Sequence, residues 1–191
     1  MSPTVTLVRH GETAWSASGR HTGRTDVPLT AEGERMAARL GERLAGQTFD
    51  RVFTSPLQRA AKTCVLAGFG GRAVVDPDLV EWDYGDYEGR TSKDIQAERP
   101  GWRIFRDGCP HGEQAGDVGA RADRVIARLR AVEDRAILFS SAHVLRVLTA
   151  RWLGLPASEG RGFKLDTASL SVLAYEHDSR DEPVVALWNE V

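Results

Sequence analysis

The sequence is poor in cysteine, in long apolar runs and in excess charge. Its 191 residues include two cysteines, Cys64 and Cys109, without the spacing of a disulfide framework or a zinc site. No apolar segment approaches the roughly 18 residues of a membrane-spanning helix, and Met1 is followed by Ser-Pro-Thr rather than by a secretion signal. The 25 basic and 27 acidic residues nearly cancel, so no long-range field favours nucleic acid or an anionic membrane. We therefore expect a cytoplasmic protein with reduced thiols that binds neither nucleic acid nor a membrane.

The composition is that of an ordinary folded domain, and we expect one domain that spans residues 1–191. Short β-branched runs alternate with helix-like segments. This pattern predicts an α/β three-layer sandwich with a mostly parallel central sheet and helices on both faces. The predicted strands are residues 5–8, 51–54, 73–75, 136–139, 170–175 and 184–188, the last two forming a hairpin. The predicted helices are 30–44, capped by Thr30, then 56–66, beginning at Pro56, then 114–132 and 145–153.

The run Arg9-His10-Gly11-Glu12-Thr13 follows the first predicted strand. An imidazole with a pKa of about 6.5 is largely neutral at physiological pH and can attack phosphorus without a separate base. Arg9 supplies donors for phosphate oxygens, and Gly11 removes a side chain where backbone and substrate approach each other. Ligands of such sheets bind beyond the carboxyl ends of the strands. We therefore expect His10, Ser55 and residues 140–143 to converge on one crevice.

Two further side chains suit phosphate chemistry. Arg59 follows Ser55-Pro56 at a predicted helix start, which also favours anions, and is a second phosphate clamp. Glu81 lies in an aromatic-rich loop where Trp82 and Tyr84 could desolvate its carboxyl group, as a general acid requires. Competitors for this role are Asp83, Asp86 and Glu88; we rank Glu81 first because it lies nearest the strand end.

Four motifs in this order resemble the histidine phosphatase superfamily, in the branch related to phosphoglycerate mutase. They are residues 7–13, the loop 19–26 with Leu29-Thr30 after it, Ser55-Pro56 with Arg59, and Glu81. The resemblance implies that His10 becomes phosphohistidine, that Arg9 and Arg59 hold the phosphoryl group, and that Glu81 protonates the leaving group and then activates water. It also implies substrate contacts at Ser16, Thr22 and Gly23, with no metal and no cofactor.

One position departs from the family pattern. The family's second catalytic histidine lies five residues before an arginine in Ser-His-Gly-x-x-x-Arg, and counting back from Arg146 gives Ser141. Ala142 stands in place of the glycine, and His143 corresponds to the second histidine of members with His-Gly-His. Either His143 or Ser141 donates to the phosphoryl oxygens and activity survives, or the pocket is weakened and catalysis is slow.

The substrate is predicted more coarsely. The compact segment after Glu81 favours hydrolysis over mutase chemistry, and it resembles a subgroup with acid phosphatases and sedoheptulose bisphosphatase. That resemblance implies phosphorylated sugars or sugar acids, with Trp82 and Tyr84 on the substrate side; mutase activity and phospholigand binding without turnover are the alternatives. A second anionic group of the substrate could bind Arg103, Arg106 and His111. Three tryptophans, Trp15, Trp82 and Trp102, suggest an enclosed pocket, whereas Trp152 and Trp188 suit packing in the core. An exposed edge strand could support a homodimer.

Overall fold

The fold is built on a mixed β-sheet. A computed structural model describes residues 3–131 and 135–191, and in these the sheet has six strands in the order β3-β2-β4-β1-β5-β6. The strands are β1 (Thr4–Arg9), β2 (Arg51–Thr54), β3 (Val74–Val75), β4 (Arg135–Ser140), β5 (Leu170–Tyr175) and β6 (Pro183–Glu190). The first four pair in parallel, whereas β5 and β6 run antiparallel and form the predicted hairpin at one edge. The prediction of a mostly parallel sheet is confirmed.

Helices connect the strands and cover the sheet. They are α1 (Ala14–Ala17), α2 (Ala31–Arg43), α3 (Gln58–Leu66), α4 (Ser92–Glu98), α5 (Ile104–Asp107), α6 (Ala115–Arg130) and α7 (Ala142–Trp152). Short 3₁₀ turns cover Gly70–Arg72, Pro77–Leu79, Gly85–Tyr87 and Ala157–Gly162. None of the helices among the described residues is long and apolar enough to cross a membrane.

Two buried clusters lie on opposite faces of the sheet because side chains alternate along each strand. On β4, Ala136 and Leu138 join a cluster with α6 and α7, whereas Ile137 and Phe139 join one with α2 and α3. Trp152 belongs to the first cluster, as expected for a packing residue. The three predicted layers follow from this alternation.

Two helix starts differ from the prediction. Pro56 lies outside α3, which begins at Gln58 because the backbone N–H of Gln58 donates to the side chain of Asp26, 2.8 Å away, from a distant loop. Helix α7 begins at Ala142, three residues before the predicted 145, because the carboxylate of Glu81 accepts from two N–H groups of its first turn. Helix α2 is capped by Thr30 as predicted, with Gly33 N–H donating to its hydroxyl. The predicted end of the 114–132 helix, Val132, lies outside the described residues, and α6 ends at Arg130.

Candidate active site

His10 lies directly beyond the carboxyl end of β1, where its backbone N–H donates to the carbonyl of Ser140 at 3.0 Å. This bond brings the turn after β1 beside the start of α7. The imidazole is 4% exposed, and its Nδ1 is 2.7 Å from the carbonyl oxygen of Gly11. Because a carbonyl only accepts hydrogen bonds, Nδ1 carries the proton and Nε2 keeps a free lone pair. Burial, reinforced by the charges of Arg9 and Arg59, holds the pKa of His10 well below its ordinary value.

Gly11 has a different role from the one predicted. An added Cβ would collide with the backbone carbonyl of Gly33, so the absent side chain makes room for helix α2 rather than for a substrate. The N–H of Gly11 donates to the hydroxyl of Thr63 at 3.1 Å, and that hydroxyl donates to the carbonyl of Arg59 at 2.7 Å. Gly11, whose carbonyl fixes the His10 tautomer, is thus anchored to α3 through its N–H.

Both predicted arginine clamps adjoin His10. Arg59 is fully buried, and its two terminal nitrogens donate to the carbonyls of Thr22, Gly23 and Thr25 at 2.8–3.0 Å. Arg9 donates through Nη1 to the carbonyl of Leu165 at 2.6 Å. Backbone oxygens therefore fix both guanidinium groups while leaving each Nε free.

The loop that holds Arg59 is itself held by Glu88. One oxygen of the Glu88 carboxylate accepts from the backbone N–H groups of Gly23 at 2.8 Å and Thr25 at 3.2 Å. An added Cβ at Gly23 would lie 2.5 Å from the carbonyl oxygen of Trp82, so only glycine fits there. Thr22 and Gly23, predicted as substrate contacts, position Arg59 through their carbonyls.

Glu81 is buried at the N-terminus of α7. Its carboxylate accepts three backbone N–H groups, from Trp82 at 2.9 Å, His143 at 2.9 Å and Val144 at 2.8 Å. It also interacts electrostatically with Arg9 and Arg59. Two of these N–H groups belong to the first turn of α7, so the carboxylate caps this helix from a distant segment and lets it begin early.

The other carboxylates considered for the acid role have other partners. Asp83 pairs with Arg24 at 2.7 Å, and Asp86 pairs with the exposed His111 at 2.9 Å. Glu88 holds the loop beneath Arg59. Of the four candidates, Glu81 therefore has the clearest connection to His10.

The buried Tyr84 and the partly exposed His143 form a hydrogen-bonded pair beside Glu81. The Tyr84 hydroxyl is 2.7 Å from Nδ1 of His143, and that nitrogen is 3.9 Å from the Glu81 carboxylate. Burial raises the pKa of Tyr84 well above its ordinary value, aided by the Glu81 charge. Burial, with Arg146, His21 and Arg9, lowers the pKa of His143 well below the ordinary value of a histidine. His143 is therefore neutral.

Ser141 ends the strand-to-helix turn between β4 and α7 and is 1% exposed. It occupies the N-cap position, yet its side chain makes no cap hydrogen bond, because Glu81 already satisfies the first turn. Among the described residues, four buried side-chain atoms have no hydrogen-bond partner: Arg9 Nε, Arg59 Nε, Ser141 Oγ and the Tyr175 hydroxyl. The first three adjoin His10, whereas Tyr175 lies at the opposite end of the sheet. The surroundings of His10 thus hold three free donors that a phosphate can satisfy.

Several predicted residues lie elsewhere or have other roles. Trp82 is fully buried in the core and its indole N–H donates to the Glu113 carbonyl, so it backs the crevice instead of lining it. Ser16 forms a capping box with Thr13 on α1. Ala142 is the first residue of α7 and offers no side-chain donor.

The basic residues of the 103–111 segment are occupied in local contacts. Arg103 donates to the carbonyl of Trp102, which is itself a buried core residue. Arg106 pairs with Asp107 and His111 with Asp86. Their side chains therefore give no support to a second anion site.

A groove with a volume of about 870 Å³ lies at the other end of the sheet. Its lining includes residues at the amino ends of β1 and β4, Thr4 and Arg135. Two of its arginines already have partners within it: Arg43 pairs with Glu190 at 2.8 Å, and the guanidinium of Arg135 donates to the side-chain oxygen of Gln47 at 2.9 Å. Free donors therefore distinguish the His10 crevice from this groove. Among residues 3–131 and 135–191, no three histidine, cysteine, aspartate or glutamate side chains group as metal ligands.

Sequence reasoning missed the residues that hold the site in place. Thr63 lies four residues after Arg59 on one helix face, and this spacing was a usable signal. The carbonyl of Leu165 carries no sequence signal, because any residue type supplies a backbone oxygen.

A buried neutral histidine between two guanidinium groups at the carboxyl end of a sheet defines a phosphoryl-handling site. The chain belongs to the histidine phosphatase superfamily (branch 1), whose family model matches residues 5–191. It is 42% identical to an acid phosphatase of Mycobacterium tuberculosis, over 95% of this chain and 91% of that protein. It is 34% identical to sedoheptulose 1,7-bisphosphatase of Saccharomyces cerevisiae, over 98% of this chain and 93% of that protein. A solved structure of an open reading frame from M. tuberculosis superposes with a TM-score of 0.92 at 37% identity, covering 100% of this chain and 99% of that one.

We expect Thr63→Val to destabilise the protein by about 1–3 kcal/mol, because it leaves the buried N–H of Gly11 unpaired. Thr63→Ser keeps the hydroxyl and is the matched control. Urea unfolding of both variants measures the difference. Equal losses in the two variants would show that the methyl group of Thr63, and not its hydroxyl, carries the effect.

Stability should also fall with pH through His21, a 9% exposed residue. Burial lowers the pKa of His21 to about 4, so the unfolded chain binds a proton that the native state excludes between about pH 6.5 and 4. Stability is therefore complete above this window and is lost as pH falls through it. Between pH 7 and 5 the unmodified protein should lose about 1–2 kcal/mol more than His21→Gln. His177 is exposed, so the His177→Asn variant should lose as much free energy of unfolding as the unmodified protein. An equal dependence of stability on pH in all three proteins would contradict the role given to His21.

Proposed function

We propose that this chain is a phosphomonoesterase that hydrolyses small phosphorylated metabolites, sugar phosphates or bisphosphates, through a phosphohistidine formed on His10. The observation that carries the proposal is the set of buried free donors beside the His10 lone pair: Arg9 Nε, Arg59 Nε and Ser141 Oγ. A phosphoryl group pairs all three, and each otherwise costs about 1–3 kcal/mol as a buried unpaired donor. The likeness to an acid phosphatase and a sedoheptulose 1,7-bisphosphatase supports the substrate class.

In the first step Nε2 of His10 attacks phosphorus as the bond from phosphorus to the leaving oxygen breaks. Nδ1–H stays bonded to the Gly11 carbonyl, which holds the ring and spreads the charge of the phosphorylated imidazole. Arg9 and Arg59 offset the negative charge of the transferred group, and they supply the electrostatic role that a metal serves in other phosphoryl transfers. We therefore propose that no metal is needed.

Proton transfer is assigned to Glu81. The Glu81 carboxylate takes up the proton that the bound phosphate monoester carries and delivers it to the leaving oxygen, and the restored carboxylate then takes a proton from the water that attacks phosphohistidine. The P–N bond then breaks, its electron pair returns to Nε2, and phosphate leaves. The three backbone N–H groups on Glu81 hold it still through both steps.

Phosphate release from an aryl phosphate and a sugar-phosphate panel, with EDTA present, tests this proposal. We expect release by the unmodified chain and none by His10→Ala, because the variant lacks the nucleophile. Release that persists in His10→Ala would rule out phosphohistidine, and loss of activity in EDTA would rule out a metal-free reaction. Good cleavage of aryl phosphate without cleavage of any sugar phosphate would rule out the substrate class.

Ser141 favours a second candidate function, binding of phosphorylated ligands with little turnover. A serine hydroxyl replaces a histidine that the family uses, so binding can survive through the arginines while the rate falls. Inorganic phosphate binding without release from any substrate would support this candidate over hydrolysis.

We expect His143→Ala and Ser141→Ala each to lower kcat at least tenfold, because each removes one donor from the transferred group. The measurement is aryl phosphate turnover, with urea unfolding to check that both variants remain folded. An unchanged rate in a folded variant would remove that residue from the site.

A further inference from the structure

The hydrogen bond between the Tyr84 hydroxyl and His143 Nδ1 is the shortest link between His143 and its surroundings, at 2.7 Å. Tyr84 is 2% exposed, and His143 packs edge-on against its ring with the centroids 5.8 Å apart. Phe105 and His21 contact other sides of the imidazole, at centroid distances of 5.3 and 6.1 Å. The ring is thus confined, and the remaining variable is which nitrogen carries the proton.

Tyr84 must be the donor in this bond. Among the described residues its hydroxyl has no other hydrogen-bond partner, so a proton on Nδ1 of His143 would leave a buried O–H unpaired. The raised pKa of Tyr84 keeps the phenol protonated, and the lowered pKa of His143 keeps the imidazole neutral. Nδ1 is therefore the acceptor and Nε2 carries the proton.

The Nε2–H edge of His143 is free to meet a ligand. Within the described part of the chain Nε2 has no hydrogen-bond partner, and the side chain keeps 16% exposure although Tyr84 covers Nδ1. The charged or titratable groups that act on this ring come from four elements: Arg146 on α7, Arg9 on β1, His21 after α1, and Glu81 with Tyr84 before α4. Only Glu81 opposes the tautomer, because its carboxylate lies 3.9 Å from Nδ1 and attracts a proton there.

We propose that Tyr84 is a positioning residue that holds His143 in the Nε2–H tautomer, so that His143 donates to the phosphoryl group in place of the histidine that Ser141 replaces. This inference rests on the proposed function. Without the Tyr84 hydroxyl, Glu81 draws the proton to Nδ1. Nε2 then presents a lone pair, which repels phosphoryl oxygens instead of binding them.

Nitrogen NMR of protein with ¹⁵N-labelled histidine reads the tautomer without any turnover. The His143 signals are assigned by their loss in His143→Gln. We expect a protonated Nε2 in the unmodified protein, a shift of the Nε2–H signal on adding inorganic phosphate, and a protonated Nδ1 in Tyr84→Phe. An Nδ1–H tautomer in the unmodified protein, no response to phosphate, or an unchanged tautomer in Tyr84→Phe would each overturn the proposal.

Kinetics of a double-mutant cycle test the consequence. Tyr84→Phe should lower kcat about tenfold and change KM less than twofold, because the lost contact acts mainly in the transition state. The side-chain amide of His143→Gln offers a donor with no tautomer to select, so Tyr84→Phe in that background should lower kcat less than twofold. Equal losses in both backgrounds would make Tyr84 merely structural and overturn the proposal.

The two proposals fail in distinguishable ways. If the unmodified protein releases no phosphate, the proposed function fails, while the NMR arm still decides the tautomer and its response to inorganic phosphate. If His10-dependent release is observed but the tautomer or the cycle does not respond to Tyr84→Phe, only the role of Tyr84 fails.

Discussion

The structure depends on burying the guanidinium of Arg59 beside a histidine that must stay neutral. A buried cation is costly unless polar groups surround it, and here three backbone carbonyls of the 22–25 loop accept from it. Their fixed positions depend in turn on Glu88, which holds the N–H groups of the same loop, and on Gly23, where no larger residue fits. A loop without regular secondary structure is thereby held in place, and within the described residues Nε is the nitrogen of the Arg59 guanidinium that has no hydrogen-bond partner.

Two arginines make the neighbourhood of His10 positive, and this sets its protonation state as well as its affinity for anions. Burial and the two charges both disfavour imidazolium, so the lone pair on Nε2 persists to lower pH than in a free histidine. In the proposed reaction, the charges that attract a phosphate thus also keep the nucleophile in its neutral form. The cost is stability in acid, since buried neutral histidines weaken the native state as the pH falls.

The strands, the capped helix α2 and the position of His10 beside Ser140 follow from local patterns, and the sequence predicts them. Alternating apolar residues and strand-end polar groups are short-range signals. The two shifted helix starts come from long-range hydrogen bonds: Asp26 caps α3 two residues after Pro56, and Glu81 caps α7 from 62 and 63 residues away. The supporting role of the Leu165 carbonyl leaves no mark in residue type, because any residue supplies a backbone oxygen, whereas the i, i+4 spacing of Arg59 and Thr63 was a signal in the sequence.

The capping of α7 by Glu81 explains how a serine can stand at position 141 without being consumed by the helix. The side-chain oxygen of an N-cap serine normally accepts a hydrogen bond from an N–H group of the first turn, but here the N–H groups of His143 and Val144 already donate to Glu81. The Ser141 hydroxyl is therefore free to serve a ligand, although it is shorter and carries no charge. In the proposed reaction the two arginines bind the phosphoryl group and should tolerate this exchange, whereas stabilisation of the transferring group loses an imidazole donor. In the proposed reaction His143 supplies the missing donor, and its neutral ring donates only while the proton stays on Nε2. The residue at position 84 therefore affects the rate through the tautomer of His143.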